Sequence, residues 1–368
     1  MKIVYVYPAI ATKGGVERIL VEKMNLLARE KGCEVTLLTY DQGEHEVAFA
    51  LDERVRHIDL QVKTYVKYRY GGWRRLWEEW RRRSWLRQRL WQQLRVLKPD
   101  ICVTPTNGEV VLLNRLCKDI ALVVESHGGF DHLIDFGQDT WWHRLDVRRR
   151  RRAIRRADAV VCLTKRDGDR WTREGYGNVH VIPNIAHLNP TGVLSSGKEK
   201  RALFVGRFAR QKGIEDLLAI WQKVCERHPD WTLEMFGENY EQYQDCVGEG
   251  IVVHAPTSDV FSQYCKSSML LLSSRWEPFG LVIPEAMSCA VPVVSFEGDG
   301  PCEIISDGED GYIVKDRNKD EFAARVCQLI ADEELRRQMG RNAVRSARRY
   351  SSENILPLWQ ELFESLAG

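Results

Sequence analysis

The stretch MLLLSSRWEPFGLVIPEAMSCA, residues 269–290, contains a strand pattern, a loop and a helix pattern in succession. The continuous apolar run at 269–272 is typical of a strand that is buried on both faces of a parallel sheet. In open parallel sheets, ligands bind at the carboxyl ends of the strands. We therefore expect Glu277, in the loop, and Glu285, on the helix, to face a polar ligand.

The same alternation of short apolar runs and helical patterns continues along the whole chain. Seven strand candidates come first, at 2–8, 34–40, 55–60, 100–106, 121–127, 158–164 and 179–184, and six follow, at 201–207, 231–237, 251–256, 269–274, 291–296 and 311–314. Apolar strands separated by helices predict the α/β class, with parallel sheets and crossover helices. The two series predict two Rossmann-like, doubly wound domains.

A chain of 368 residues is longer than a single hydrophobic core usually supports. We expect an N-terminal domain at 1–185, a polar linker rich in Gly, Ser and Pro at 186–200, and a C-terminal domain at 201–350. The apolar positions within 351–368 predict an amphipathic final helix. This division predicts a cleft between the domains.

The composition favours a cytosolic protein without a metal site. No apolar run approaches the roughly 20 residues needed to cross a bilayer, and the N-terminus lacks a signal-peptide cleavage pattern. The ten cysteines are scattered singly without metal-ligand spacing, which predicts reduced thiols. Asp167 and Asp169 fall at a predicted helix start, and we interpret them as caps rather than metal ligands.

A basic segment rich in tryptophan interrupts an otherwise balanced charge. Residues 61–100 contain twelve Lys or Arg, three acidic residues and five tryptophans. We predict a helix that carries most of its apolar side chains near one face, at Trp73, Leu76, Trp77, Trp80, Leu90, Trp91, Leu94 and Leu97. Arginines interleaved with tryptophans suit an acceptor or the headgroups of an anionic membrane, through Arg74, Trp77, Trp80, Arg81 and Arg82. A solvated face is the alternative, and no nucleic-acid module is recognised.

Two glycine-containing loops favour phosphate binding. Gly14 and Gly15 precede a predicted helix and let the backbone approach a ligand, although a plain tight turn would use the same residues. The loop GRFARQKG, residues 206–213, offers Arg207 and Lys212 as two cations for a diphosphate. A solvated basic loop is the alternative for this second stretch.

The stretch at 269–290 offers groups that could bind the parts of the same ligand beyond its diphosphate. The NH groups around Phe279, Gly280 and Leu281 can hold a phosphate or sugar hydroxyls at a helix start. Glu285 can reach vicinal hydroxyls, as acidic residues do on a ribose. The two glutamates would then bind the two ends of one sugar nucleotide. Alternatively, Glu277 is a helix cap and Glu285 pairs with a basic residue.

Three motifs carry a resemblance to a known family. GRFARQKGIEDLL at 206–218, EPFGLVIPEAM at 277–287 and VPVVSFEGDGPCEIISDGEDGYIV at 291–314 resemble the C-terminal half of retaining GT-B glycosyltransferases of family 4. KGGVERIL at 13–20 and VIPNI at 181–185 resemble the N-terminal half. This chain departs from the family pattern at EGDGPCE and VVHAPTSD, so the resemblance specifies the phosphate contacts more closely than the base of the nucleotide.

The resemblance implies two Rossmann-like domains that face a deep cleft, with the last helix crossing back to the N-terminal domain. It implies that Arg207 and Lys212 bind the diphosphate of a UDP-sugar, assisted by Gly15 and the NH groups of the quoted loop. Glu285 would bind the ribose and Glu277 the transferred sugar, and His127 would lie over that sugar. It also implies retention of configuration without a metal or cofactor.

The function expected from these inferences is transfer of a sugar, such as an N-acetylhexosamine, from a UDP-sugar to a lipid-linked glycan or polysaccharide. The basic helix resembles one in a branch of the family that adds N-acetylgalactosamine to undecaprenyl-diphosphate-linked oligosaccharides. We therefore expect a bacterial enzyme at the inner face of the cytoplasmic membrane. The rivals are a UDP-sugar epimerase or hydrolase on the same fold and a non-catalytic binding subunit.

Overall fold

A computed structural model describes every residue of the chain except 13, 31, 132–140 and 245–247. The chain divides into two compact units. Unit 1 comprises Met1–Ile185 and Leu356–Gly368, and unit 2 comprises Ala186–Ile355. Each unit has its own parallel sheet, so the predicted α/β class with two Rossmann-like domains is confirmed.

Unit 1 contains a seven-stranded parallel sheet. Its strands are β1 (Lys2–Tyr7), β2 (Glu34–Thr39), β3 (Arg56–Asp59), β4 (Ile101–Pro105), β5 (Ala121–Ser126), β6 (Ala159–Cys162) and β7 (Val179–Val181), in the order β3-β2-β1-β4-β5-β6-β7. Within the described residues, the helices that precede the last one are α1 (Gly15–Arg29), α2 (Gly72–Leu97), α3 (Val110–Leu116), α4 (Trp141–Ile154) and α5 (Lys165–Arg173), and a short 3-10 helix covers Thr64–Arg69.

Unit 2 contains a six-stranded parallel sheet. Its strands are β8 (Arg201–Val205), β9 (Thr232–Phe236), β10 (Ile251–His254), β11 (Met269–Leu272), β12 (Val293–Phe296) and β13 (Gly311–Val314), in the order β10-β9-β8-β11-β12-β13. Its helices are α6 (Ile214–Cys225), α7 (Val260–Cys265), α8 (Val282–Ser288), α9 (Asp299–Ile304), α10 (Lys319–Ala331) and α11 (Glu333–Ala347). Short 3-10 helices cover Arg210–Lys212, Tyr240–Tyr243, Lys315–Arg317 and Arg348–Tyr350.

The final helix, α12 (Ser352–Ala367), begins in unit 2 and has most of its length in unit 1. Its buried residues within unit 1 are Leu356, Trp359, Leu362 and Phe363. They recur at helical spacing, which forms the apolar face that the sequence predicts.

The strand order determines where ligands can approach each sheet. In unit 2 the order reverses between β8 and β11, and in unit 1 it reverses between β1 and β4. At such a switch point the two adjacent loops leave in opposite directions and open a crevice at the carboxyl edge of the sheet. The loops after β8 and β11 are the two that carry the predicted diphosphate-binding cations and Glu277.

Helix α2 has the predicted position, but its apolar residues do not share one face. The buried residues of α2 are Glu78, Arg82, Leu86, Leu90 and Leu94, which recur every four positions. The most exposed tryptophans, Trp73 at 79% and Trp80 at 69%, lie on the opposite side together with Trp77 and Trp91. The apolar residues predicted near one face are therefore divided between two sides: Leu90 and Leu94 are buried, and the tryptophans, which were expected to contact an acceptor or a membrane, are exposed. An internal Glu78–Arg82 ion pair continues the buried line toward the start of the helix.

Two smaller differences concern loops. The segment 186–200, predicted as a linker, belongs to unit 2. Ser195 donates to the carbonyl of Ser267, and the Arg336 guanidinium binds the carbonyl of Gly197. Helix α5 is capped by the Thr164 hydroxyl instead of an aspartate. The Asp167 carboxylate accepts from the Phe130 backbone NH instead.

The remaining predictions about composition concern membrane spans and thiols. Within the described residues, no helix is long and apolar enough to cross a membrane. Nine cysteines are free thiols, and Cys246 lies outside the described residues.

Candidate active site

The loops after β8 and β11 are joined by hydrogen bonds at the switch point of unit 2. The Ser273 hydroxyl donates to the carbonyl of Lys212 at 2.8 Å, and the Arg275 NH donates to the carbonyl of Gln211 at 2.7 Å. The Gln211 side chain in turn donates to the carbonyl of Trp276 at 3.0 Å. These hydrogen bonds hold the two loops together, so that their side chains form one continuous surface.

The predicted residues Lys212 and Glu277 meet on this surface. Lys212 Nζ lies 2.5 Å from Glu277 Oε2, and the Ser274 hydroxyl donates to the same oxygen at 3.1 Å. The side chains of Lys212 and Glu277 are 20% and 9% exposed. The carboxylate is thus held by two neighbours at the rim of the crevice.

Two glycines in positive-φ conformations allow this approach. Gly213 has φ +63°, and a Cβ there would lie 2.3 Å from the carbonyl oxygen of Ser273. Gly280 has φ +85°, and a Cβ there would lie 3.0 Å from Glu277 Cγ. Since side chains disfavour both this conformation and these distances, glycine is required for the loops to close on Glu277.

Arg207 follows β8 in the same loop as Lys212. Its side chain is exposed, and within the described residues no ion pair or hydrogen bond of its guanidinium is seen. The backbone beside it is closely packed, since a Cβ on Gly237 would lie 1.8 Å from the carbonyl oxygen of Gly206. Arg207 is therefore a cation presented to solvent from a rigid turn.

Glu285 lies in the first turn of α8 and is 2% exposed. The Tyr264 hydroxyl donates to its Oε2 at 3.4 Å. Phe279 is also buried, with its ring 5.5 Å from that of Tyr350. Phe279 thus belongs to the core through its side chain, and only its backbone and that of Gly280 and Leu281 can take part in binding.

A second charged cluster lies beside this loop and was not predicted. The Asp216 carboxylate on α6 is bound by Arg317 at 2.7 Å, Lys319 at 2.7 Å and Arg275 at 3.3 Å. Burial raises the pKa of Asp216, but the hydrogen bonds from Lys319 and Arg317 outweigh it and lower the pKa. Three cations on one carboxylate leave an excess of positive charge near Lys212, which favours an anionic ligand.

The predicted residues of unit 1 lie on its own sheet edge. His127 follows β5, and its Nε2 lies 2.9 Å from Glu125 Oε2. Gly15 begins α1, and Gly14 before it lies beside the Glu17 carboxylate. The structure thus places Lys212 next to Glu277 within unit 2, whereas His127 and Gly15 belong to unit 1.

The basic residues predicted on α2 have different surroundings. Trp77 and Trp80 are exposed, Arg81 lies over the Trp77 and Trp85 rings, and Arg74 lies over the Tyr70 ring. Arg82 departs from the prediction. It is buried, and it donates to the carbonyl of Val62 at 2.5 Å and pairs with Glu78. A contact of this helix with a partner would therefore use the other four.

Three further residues near the candidate site were not among the predicted site residues. Ser274, Asp216 and Glu125 each bind a predicted or neighbouring site residue. Of these, Glu125 had a signal in the sequence, since a carboxylate two positions before His127 in an otherwise apolar strand needs a buried partner. Over the described residues there is no group of three His, Cys, Asp or Glu side chains that could hold a metal ion.

Two family models together match most of the chain. The model described as Glycosyltransferase Family 4 matches residues 13–189, and the model described as Glycosyl transferases group 1 matches residues 190–346. With its two parallel sheets the chain has the GT-B fold. It belongs to the family 4 glycosyltransferases.

Individual proteins agree with this family. The amylovoran biosynthesis glycosyltransferase AmsD of Erwinia amylovora is 31% identical over 221 residues, which are 56% of this chain and 62% of AmsD. Sucrose-phosphate synthase from Thermosynechococcus elongatus has a TM-score of 0.78 at 19% identity, with 99% of this chain and 98% of that one covered. A variant of S. aureus TarM, in complex with fondaparinux, alpha-GlcNAc-glycerol and UDP, has a TM-score of 0.76 at 14% identity, with 98% and 99% covered.

Proposed function

We propose that this protein is a retaining glycosyltransferase that moves a sugar from a UDP-sugar to a lipid-linked glycan or polysaccharide. The observation that carries the proposal is the contact of Lys212 with Glu277 at the switch point of unit 2, beside the exposed Arg207. These groups combine two cations for a diphosphate with one carboxylate for sugar hydroxyls. The matched family supports the reaction class.

The chemistry of the leaving group explains the two cations. When the bond between sugar and UDP breaks, negative charge accumulates on the diphosphate. Arg207 and Lys212 would stabilise that charge in the transition state, and the Arg275–Arg317–Lys319 cluster adds to the local positive potential. The proposed reaction therefore proceeds without a metal.

Glu277 has a separate role in this proposal. Its carboxylate binds Lys212 and the Ser274 hydroxyl in this structure. A bound diphosphate would compete for the Lys212 ammonium and leave the carboxylate free to accept hydrogen bonds from the donor sugar. Attack from the same face, with the leaving phosphate taking the acceptor proton, would retain the configuration. Glu277 then positions the sugar and is not the nucleophile.

The sugar that we propose is an N-acetylhexosamine such as N-acetylgalactosamine. The TarM variant, whose complex contains UDP together with alpha-GlcNAc-glycerol, supports a UDP donor and this class of sugar. The assignment of AmsD to amylovoran biosynthesis supports a glycan acceptor. Both observations concern related proteins, so the thermal-stabilisation experiment includes other nucleotides and sugars.

We further propose that helix α2 attaches the protein to the inner face of the cytoplasmic membrane. Trp73, Trp77 and Trp80 recur at positions i, i+4 and i+7 on the side of α2 opposite to its buried line. Tryptophan rings flanked by arginines suit the interface of an anionic bilayer. An acceptor with a lipid anchor would be delivered at that surface.

Vesicle binding tests the membrane part of the proposal. Replacing Trp77 and Trp80 by alanine should weaken sedimentation with vesicles that contain anionic lipid. Trp85→Ala is the matched control, because Trp85 lies on the same helix but away from the exposed stripe, beneath Arg81 and Arg89. Equal binding of all variants would return α2 to the simpler interpretation of a solvated helix.

Two other functions remain distinguishable by experiment. A UDP-sugar epimerase or hydrolase would turn over its substrate without an acceptor and has no need for exposed tryptophans on α2. A non-catalytic subunit would bind UDP without any turnover. The presence of Arg207, Lys212 and Glu277 in one surface favours an enzyme over a binding subunit.

Thermal stabilisation by nucleotides is the primary test. The protein would be heated with UDP, GDP, ADP and a panel of their sugar conjugates, with EDTA present throughout, because a ligand of the native state raises the melting temperature. We expect a selective rise with UDP and with one UDP-sugar. Lys212→Ala should reduce this rise, whereas Lys200→Ala, at the opposite end of β8, should not. No response to any nucleotide would contradict the proposed donor site.

A further inference from the structure

The turn after β13 contains two consecutive residues with a left-handed backbone. Asp316 has φ +53° and Arg317 has φ +51°, although each carries a Cβ that disfavours this region. Such residues persist where surrounding contacts hold them, and they cluster at functional sites. The contacts of Arg317 therefore need an explanation beyond the connection of β13 to α10.

The Arg317 guanidinium joins three parts of unit 2. Its Nη1 donates to the carbonyl of Ser274 at 2.9 Å, and its Nη2 donates to the carbonyl of Ser273 at 3.1 Å. Nη2 also donates to the Asp216 carboxylate on α6 at 2.7 Å. The guanidinium carbon lies 4.4 Å from the centroid of the Phe296 ring at the end of β12. Two carbonyls, one carboxylate and one π face thus fix the guanidinium.

The two carbonyls belong to the first residues of the β11 loop, which covers 273–281. The Ser273 hydroxyl donates to the carbonyl of Lys212, and the Ser274 hydroxyl donates to Glu277 Oε2 at 3.1 Å. Both serines are buried. Each serine is therefore held by Arg317 through its carbonyl and bound to a predicted site residue through its hydroxyl. A shift of the guanidinium would move Ser274 and, with it, a hydroxyl that binds the Glu277 carboxylate.

We propose that Arg317 is a positioning residue that aligns the Glu277 carboxylate for the donor sugar by holding the backbone of the β11 loop. A guanidinium suits this role, because its planar fork can bind two adjacent carbonyls and a carboxylate in one fixed geometry. Asp216 orients that fork from α6. This inference rests on the proposed function for the role of Glu277.

The alternative is that Arg317 only adds positive charge and stability to unit 2. Lys319 is the matched control, because its Nζ lies 2.7 Å from Asp216 Oδ1 and its side chain is 41% exposed, close to the 36% of Arg317. Within the described residues, Lys319 makes no hydrogen bond to either serine carbonyl. Arg317→Gln and Lys319→Gln thus each remove one cation from the same carboxylate, but only the first releases the loop.

Steady-state kinetics separate the loop contact from the charge. Both substitutions should raise the KM of the UDP-sugar by about two- to threefold, since each lowers the positive potential by one charge. Arg317→Gln should also lower kcat by about tenfold through the misaligned carboxylate, whereas Lys319→Gln should lower it by about twofold at most.

Arg317→Lys distinguishes the fork from the charge. It keeps the cation but cannot reproduce the two parallel contacts, so we expect the native KM together with the low kcat of Arg317→Gln. Equal kcat in Arg317→Gln and Lys319→Gln, or full recovery of kcat in Arg317→Lys, would overturn the inference.

A double-mutant cycle tests whether Arg317 acts through Glu277. The variant that combines Arg317→Gln with Glu277→Gln should have a kcat no lower than that of Glu277→Gln alone, because the carboxylate that Arg317 aligns is already lost. Losses that multiply would show that Arg317 acts independently of Glu277 and would overturn the inference.

Hydrogen exchange provides a readout that needs no turnover. The Arg275 NH in the β11 loop donates to the carbonyl of Gln211, so its exchange reports whether the loop is held. Arg317→Gln should speed exchange in peptides that cover 273–281 by roughly tenfold and leave β9 unchanged, whereas Lys319→Gln should keep the loop at the native rate.

Two outcomes of this exchange experiment would overturn the inference. One is equal exchange of the β11 loop in Arg317→Gln and the native protein, and the other is faster exchange throughout unit 2, which a merely stabilising residue would give. If the native protein turns over no UDP-sugar, the proposed function fails, while the exchange of the loop still decides whether Arg317 holds it.

Discussion

A buried lysine–glutamate pair of unit 1 and a lysine–glutamate pair on the loops of unit 2 both lie close to predicted site residues, and these two pairs have different surroundings. Lys212 and Glu277 in unit 2 lie on loops, with side chains that are 20% and 9% exposed. Lys23 and Glu125 in unit 1 lie on α1 and β5, and each is 3% exposed. The same two residue types therefore occur once at the rim of a crevice and once inside a core.

The difference in burial separates a pair that can exchange its partners from one that cannot. A pair at the rim can exchange partners, since an arriving phosphate can replace Glu277 as the anion beside Lys212 at little cost in desolvation. A pair inside the core cannot, because any exchange would leave a charge buried without a partner. We therefore interpret the loop pair as part of the donor site and the buried pair as a fixed support.

Stability measurements should show the largest contrast between the pairs. Lys23→Met leaves Glu125 buried without its cation and should lower the free energy of unfolding by about 3–5 kcal/mol. Adding Glu125→Gln should restore most of that loss. Chemical denaturation of both variants, followed by circular dichroism, provides the measurement.

The loop pair is the control for this experiment. Lys212→Met should lower the free energy of unfolding by less than Lys23→Met, because Lys212 is the more exposed of the two lysines and the Ser274 hydroxyl still binds the remaining carboxylate. Equal losses at Lys23 and Lys212 would contradict the distinction that burial suggests.

For turnover of the UDP-sugar, we expect the large effect at the loop pair. Glu277→Gln keeps the shape of the side chain but removes the charge, and we expect turnover of the UDP-sugar to fall by roughly 100- to 1,000-fold, a size typical of lost electrostatic stabilisation. Affinity for UDP should change little, because Arg207 and Lys212 remain. Steady-state kinetics and calorimetry would measure the two quantities separately.

A second glutamate at the same sheet edge provides the matched control. Glu238 follows β9 and is exposed, so Glu238→Gln should leave turnover close to that of the native protein. Full activity in Glu277→Gln would contradict the role proposed for Glu277.

The fold was largely predictable because it depends on local patterns. All thirteen apolar runs form strands, since a strand buried on both faces must be apolar throughout. The face of α2 was not predictable in the same way. Glu78 and Arg82 are buried as an ion pair, so the charged positions of the pattern point inward and several tryptophans point outward.

The residues of the candidate site could be proposed from the sequence only where a motif carries them. Arg207, Lys212 and Glu277 stand in recognisable loops. Lys23 and Glu125 are 102 positions apart, and no periodicity relates a residue on α1 to one on β5. Such pairs become visible only when the sheet order brings α1 and β5 together.

Acid should distinguish the two pairs through Glu125. Its pKa of about 2 lies below the value of 4.5 for the unfolded chain, so its contribution to stability is present above pH 4.5 and is lost as the pH falls toward 2. When the pH is lowered from 5 to 3, the free energy of unfolding of the native protein should fall by about 2 kcal/mol, because the contribution of this carboxylate is lost. The Lys23→Met/Glu125→Gln double variant lacks this group and should lose correspondingly less. Denaturation curves at pH 5 and pH 3 give the free energy of unfolding of each protein. An equal loss of this free energy in both proteins would contradict the shifted pKa.

The smallest of these effects should be on the affinity for UDP, and only the loop pair should show it. Lys212→Ala removes one of two cations from the proposed diphosphate site and should weaken UDP by about tenfold, which corresponds to about 1.4 kcal/mol. The Lys23→Met/Glu125→Gln double variant should bind UDP like the native protein, because its charges are buried in unit 1. The loss at Lys212 should also shrink as salt is added, since screening weakens the attraction between a partly exposed cation and a phosphate. A loss of UDP affinity in the buried double variant would mean that both pairs serve the nucleotide, and the division between a binding pair and a fixed support would be wrong.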